Sequence, residues 1–196
     1  MGNIYSVINA IEFLGKNSIL SSSANDILKA DVIILPGVGS FGRAIKALKN
    51  SGLNEAISEF VLIKKRKILG ICLGMQLLAE SSEEGGFHDG LGFIKTSVNR
   101  FNEGINKKIP HIGFNEVAIP DEPNRLLSGI KNNSDFYFVH SYRLSDREIV
   151  GTKFLCNYGG EKFIAAYEHE NIFATQFHPE KSQTNGLYLI NNFLKA

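Results

Sequence analysis

Tryptophan is absent from this chain, cysteine and methionine occur only twice each, and proline five times. Two cysteines, Cys72 and Cys156, are too few to staple 196 residues. That excludes the small disulfide scaffolds of secreted proteins and points to free thiols in a reducing cytoplasm. No apolar run approaches the ~20 residues that cross a bilayer, and no charged start with an apolar follow-on resembles a signal peptide. Charge excess is missing too: 21 basic against 20 acidic residues leave +1, which gives no reason to expect nucleic acid or an anionic membrane as partner. The one basic cluster, Lys64-Lys65-Arg66-Lys67, reads as the solvated end of a helix. The five histidines show no metal-ligand spacing, so neither a metal nor a cofactor is expected.

What is there fits a single globular domain over 1–196. With 43% hydrophobic and 21% charged residues, the chain can bury a sizeable core. Residues 3–15 carry Ile4, Val7, Ile8, Ile11 and Leu14 at helical spacing, closed by Gly15. Residues 18–21 and 31–35 read as strands. Ser40 reads as the cap of a helix with Phe41, Ala44, Ile45 and Leu48 on one face and Gly52 past its end. Residues 54–65 look helical, and 67–71 is a strand. This alternation argues for an α/β fold, a parallel sheet with helices on both faces. After about residue 90 the texture changes to strands, at 93–101, 113–119, 136–139, 152–158, 161–168 and 172–177. Gly159-Gly160 signals a hairpin, and 184–195 is a closing helix.

Cys72 stands where the apolar strand 67–71 meets a run of good helix formers, framed as Gly70-Ile71-Cys72-Leu73-Gly74. This is the thiol form of the nucleophile elbow, a strained strand-to-helix turn that exposes one side chain. The helix starting behind it favours a thiolate, and a thiolate there suggests covalent acyl chemistry. A nucleophile of this kind needs a base and an orienting acceptor. His178 and Glu180, two apart in Gln176-Phe177-His178-Pro179-Glu180, would lie on one side of extended chain and fill both roles. Leu35-Pro36-Gly37-Val38-Gly39-Ser40 follows a buried strand. Its glycines would let backbone N–H groups approach an oxyanion. Cys156, mid-strand, reads as a small buried hydrophobe.

These segments together resemble the class I, triad-type glutamine amidotransferases. More narrowly, they resemble the glutaminase subunits of imidazole glycerol phosphate synthase. The resemblance rests on residues 36–41, 70–76, 110–115 (Pro-His-Ile-Gly-Phe-Asn), 137–142 (Tyr-Phe-Val-His-Ser-Tyr), 176–182 and the opening Met1 to Val7, and it covers essentially the whole chain. It implies a flavodoxin-like three-layer fold, with a mostly parallel twisted sheet and an antiparallel strand extension. It implies Cys72 as nucleophile, His178 as base and Glu180 as its orienter, acting on the glutamine side-chain amide. It also implies oxyanion donors at the backbone of Leu73 and of Gly37, Val38 and Gly39, with Gln76, Ser141 and Tyr142 holding glutamine. A (β/α)8 cyclase or synthase subunit would be the partner, receiving ammonia in histidine biosynthesis, with His111, Phe114, Asn115 and Lys181 on the partner face.

Two departures stand out. Phe114 occupies the place where the family usually has tryptophan, which keeps an apolar plate and loses an indole donor. The family's opening strand has no counterpart, so the true start is expected upstream of the one given. Other readings are a paralogous glutaminase feeding another acceptor, such as a surface sugar to be amidinated, or a non-catalytic regulatory subunit. The intact Cys72, His178 and Glu180 argue against the last.

Overall fold

Ile4, Val7, Ile8 and Ile11 form the apolar stripe of α1 (Gly2–Phe13) in the computed structural model, which describes residues 2–196; Met1 of the opening segment lies outside them. Gly15, at φ +70°, ends this helical stretch where a side chain would be strained. Residues 18–21 form no strand, contrary to the sequence reading. A strand needs a ladder, and no strand among the described residues lies beside them, so Ile19 stays 87% exposed. A short α2 (Ala24–Lys29) follows, capped by Ser23, whose Oγ accepts from Asp26 N–H at 3.4 Å.

Next come β1 (Val32–Gly37), α3 (Phe41–Asn50), α4 (Leu53–Ser58), a π turn over Glu59–Ile63, β2 (Lys67–Cys72) and α5 (Leu73–Leu77). Ser40 does not cap α3. Its hydroxyl accepts from Arg43 Nε at 3.1 Å, and the Glu84 carboxylate takes the Phe41 N–H instead, at 2.8 Å. The helix behind Cys72 is only five residues long and buried on every side. The later strands are β3 (Ala79–Ser82), β4 (His88–Asp89), β5 (Ile94–Arg100), β6 (His111–Val117), β7 (Ser134–His140), β8 (Tyr142–Ser145), β9 (Thr152–Tyr158), β10 (Glu161–His169) and β11 (Ile172–Thr175). A 3-10 turn at Pro179–Lys181 leads into α6 (Gln183–Lys195).

One sheet runs β1-β2-β11-β10-β8-β5-β3-β4, with β9 against β10, and β6 and β7 form a separate ribbon. The parallel block β1-β2-β11 holds the elbow, β3 and β5 are also parallel, and the antiparallel extension makes up the rest. β11 and β8 meet the same edge of β10 end to end. β11 pairs Thr175 with Ala166, and β8 pairs Leu144 with Ile164. The sheet therefore splits beside Ala165, where Gln176 N–H donates to the Ala165 carbonyl at 2.7 Å. Both segments leaving this split carry site residues.

Alternation along β2 sends Leu69 and Ile71 to one face and Ile68 to the other. The first face packs on α1 and α6 through Val7, Ile11, Leu189 and Phe193; the second packs on α3 and α4 through Phe41, Ile45, Ile57 and nearby Phe60. Each such aromatic or branched side chain contributes about 1.5–3 kcal/mol on burial. The basic cluster ties helix ends to this frame. Lys64 Nζ reaches the Leu28 carbonyl at 3.3 Å, and Lys67 Nζ reaches the Ala196 carbonyl at 2.7 Å. Among the described residues no helix is long and apolar enough to cross a membrane.

Candidate active site

Cys72 ends β2 at φ 53°, ψ −107°, a left-handed backbone that costs a non-glycine residue about 1–3 kcal/mol. Its glycine neighbours make that turn possible. A Cβ on Gly74 would sit 1.7 Å from the Leu35 carbonyl oxygen, and one on Gly70 would sit 2.8 Å from Met75 N. The elbow thus presses against β1 and against its own helix, and only glycine fits at both places. The cysteine itself is 8% exposed, so its sulfur sits in a recess.

His178 follows β11 and is fully enclosed. Its Nδ1–H donates to Glu180 Oε1 at 2.8 Å. The two side chains come together through the 3-10 turn at Pro179–Lys181, and not through the extended chain foreseen from the sequence. Burial pulls the imidazole pKa down, but hydrogen bonding and charge from Cys72 and Glu180 outweigh it and raise it to about 9. The imidazole therefore lies between the thiol and the carboxylate, oriented by one and coupled to the other. Thiol, imidazole and carboxylate in that order can generate a nucleophile and return a proton to a leaving group.

Gly37 lies in register with Cys72 across the parallel pair, so the 37–39 loop leaves the sheet beside the elbow. Val38 is exposed, Gly39 has φ +110°, and Leu73 opens α5. The loop is pinned by Glu84, which holds the first N–H of α3 from 43 residues away. Sequence reasoning gave Glu84 no role, because nothing local marks a carboxylate that caps a distant helix. Gln76 lies inside the molecule; its Nε2 donates to the Tyr142 carbonyl at 2.9 Å and to Gln176 Oε1 at 3.0 Å. Gln176 Nε2 in turn donates to the Cys72 sulfur at 3.7 Å. Gln176 was read only as part of a motif, and its spacing of two from His178 was the signal available. Ser141 contributes its carbonyl to Phe101 N–H at 3.2 Å.

The β6–β7 ribbon backs onto this site. His178 N–H donates to the Tyr137 carbonyl at 2.8 Å, Tyr137 N–H donates to Ser182 Oγ, and that hydroxyl donates to the His178 carbonyl. The outer face of the ribbon carries exposed Ile112 and Phe114, with Phe114 edge-on to Tyr137 at 5.5 Å and Lys181 Nζ 5.8 Å from the same ring. Asn115 is half-buried. His111 is only 2% exposed, stacked on Phe138 and Tyr158, so it stands behind this face and not on it. Cys156 is buried as expected, and burial pushes its thiol up to about 12. Among the described residues no cluster of three metal-ligating side chains occurs.

Comparison with known proteins gives these observations a context. The class-I glutamine amidotransferase family matches residues 2–196. The imidazole glycerol phosphate synthase subunit HisH 1 of Campylobacter jejuni is 50% identical over 195 residues, covering 99% of this chain and 95% of its own. HisH 2 of Pseudomonas aeruginosa is 43% identical, covering 100% and 95%. HisH 1 of Methanococcus maripaludis is 46% identical, covering 99% and 95%. A crystal structure of a glutamine amidotransferase superposes with TM-score 0.75 at 18% identity, covering 99% of this chain and 93% of that one. PurLQS from Thermotoga maritima superposes with TM-score 0.72 at 17% identity, covering 97% and 91%. These two share the fold.

Proposed function

The chain belongs to the class-I glutamine amidotransferases, and from that premise we propose that it is the glutaminase subunit of an imidazole glycerol phosphate synthase. It hydrolyses glutamine to glutamate and ammonia and delivers the ammonia to a synthase partner. The observation that carries this is the Cys72–His178–Glu180 alignment on a glycine-framed elbow.

The reaction follows from the placement of these groups. His178 draws off the Cys72 proton and, with its pKa raised to about 9, keeps it while the thiolate attacks the side-chain carboxamide carbon of glutamine. Negative charge moves to the amide oxygen, which takes hydrogen bonds from the backbone N–H groups of Leu73 and the Val38 loop. The C–N bond breaks as His178 returns the proton to nitrogen, releasing ammonia and leaving a glutamyl thioester. His178 then activates water, which cleaves the C–S bond, frees glutamate and restores the thiol. Glu180 keeps the proton-bearing Nδ1 fixed and stabilises the imidazolium. Gln76 and the 141–142 edge hold the amino-acid end of the substrate.

The partner is a (β/α)8 synthase subunit, and the complex works in the cytoplasm. The outer face of the β6–β7 ribbon, with Phe114 and the neighbouring Lys181, is its docking surface, and Asn115 supports it from the inner side through His111 and the Asn157 carbonyl. That face is apolar at Ile112 and Phe114 and lies one hydrogen-bonded layer from His178. The test is glutamate release by this chain with and without its synthase and that enzyme's substrate. Release is expected to rise on adding both and to vanish in Cys72→Ala. Undiminished release from Cys72→Ala would overturn the assignment.

A further inference from the structure

Two buried histidines, His111 and His140, take no part in the chemistry above, yet they lie on a continuous hydrogen-bonded path to the nucleophile. They face each other across the ribbon, with His111 Nδ1 3.1 Å from His140 Nε2. His140 Nδ1 is 2.8 Å from the Tyr142 carbonyl, and Asn115 Nδ2 is 3.3 Å from His111 Nε2. A carbonyl only accepts, so His140 carries its proton on Nδ1. Its Nε2 is then bare and accepts from His111 Nδ1–H, which leaves His111 Nε2 to accept from Asn115. The Asn115 amide is itself fixed, donating to the Asn157 carbonyl at 3.1 Å while its Oδ1 accepts from Glu116 N–H at 3.0 Å. Every donor on this path points toward Tyr142.

The Tyr142 carbonyl is also where Gln76 donates, and Gln76 continues through Gln176 to the Cys72 sulfur. We propose that His111 and His140 are positioning residues for the glutaminase reaction. They fix the Tyr142 carbonyl and, through the Gln76 and Gln176 amides, the surroundings of the Cys72 thiol. The inference rests on the glutaminase reading above. The rings have little freedom to do anything else. His111 is stacked between Phe138 at 4.7 Å and Tyr158 at 3.9 Å, and His140 lies 5.2 Å from both Phe101 and Phe163. Burial lowers both imidazoles, to about 4 for His111 and about 3 for His140, so each keeps one proton and one acceptor across the working pH range.

Two amide replacements separate positioning from packing. His140→Asn places an N–H donor near the former Nδ1 and keeps the bond to Tyr142; His140→Gln places its amide near the former Nε2 and loses that bond. Assayed with the synthase partner, His140→Asn should stay within about threefold of the native kcat/KM, whereas His140→Gln should lose about tenfold or more, the size of one lost oriented bond. Alkylation of Cys72 by iodoacetamide, followed on its peptide by mass spectrometry, should rank the three proteins in the same order. Thermal midpoints of the two variants should be alike. Equal alkylation rates in the two variants, or rates that simply follow their thermal midpoints, would overturn the positioning role. Alkylation needs no glutamine, so the two proposals fail separately. If the native complex releases no glutamate while alkylation keeps its ranking, the function is wrong and the positioning stands.

Discussion

His178 holds a proton into the alkaline range because Glu180 sits at Nδ1 and Cys72 lies close by, against the opposing pull of burial. Replacing the carboxylate by a neutral amide, Glu180→Gln, removes one raising interaction and keeps the shape. The His178 ring should then titrate below its native value of about 9, toward the ordinary 6.5, as followed by NMR of the imidazole C–H resonances. Glutamate release should fall about 10²- to 10⁴-fold, because the base loses the carboxylate that orients it. Glu84 acts at the same scale from the other side of the elbow. Removing its bond to Phe41 N–H in Glu84→Ala frees the start of α3, and with it the 37–39 loop. A charged hydrogen bond of this kind is worth about 1.5–3 kcal/mol, so kcat/KM for glutamine should drop about tenfold or more in steady-state assays. The meeting of Cys72, His178 and Glu180 was legible in the sequence because each has particular neighbours at short range: glycines around the thiol, a carboxylate two residues from the imidazole. Glu84, Gln176 and His140 were not, because each works through a partner 43 to 104 residues away, or through the direction of a carbonyl.

Elements were readable where their apolar period was long. The stripes of α1, α3 and α6 and the strands β1, β2, β5, β9 and β10 stand close to where periodicity put them. Short segments followed tertiary context instead. Residues 18–21 have strand composition and no ladder, residues 24–29 form a helix whose Ile27 and Leu28 are only partly buried against the core, and the chain past Leu77 leaves helix for β3. The turn 179–181 gave the right pairing of His178 and Glu180 for a reason the sequence did not reveal. Close approach between elements yields a prediction that needs no side-chain chemistry. A Cβ on Gly186 would sit 1.8 Å from the Pro179 carbonyl oxygen, so α6 rests directly on the turn that carries Glu180. Gly186→Ala must push helix and turn apart. It should destabilise the protein by roughly 1–3 kcal/mol in chemical denaturation, the range for overpacking, and should lower activity with it.

Across the whole molecule three buried histidines oppose one another. Below pH 6.5 the unfolded chain protonates residues 111 and 140, while the folded protein keeps both neutral down to about 4 and about 3. The unfolded state then binds more protons, and stability rises with pH. Above 6.5 the folded protein still holds the His178 proton that the unfolded chain has lost, so stability falls as pH climbs toward about 9. The thermal midpoint should therefore peak near pH 6.5. His178→Gln should remove the alkaline fall and leave the acid limb, measured by calorimetry across pH 4–10. A midpoint that keeps falling from 6.5 to 9 in that variant would show that another group is responsible.

The missing tryptophan makes the molecule optically quiet, and Phe114 stands at the one place where that silence is most useful. Half-exposed and edge-on to Tyr137, it occupies the ribbon face that adjoins the His178 backbone. A Phe114→Trp protein would carry a single indole against six tyrosines, with a tyrosine donor 5.5 Å away for energy transfer. Its emission should shift to the blue and gain intensity as a synthase subunit covers the ring, and should stay unchanged with an unrelated protein. The chain thus offers a built-in fluorescent address from which docking could be timed, without any label near the thiol.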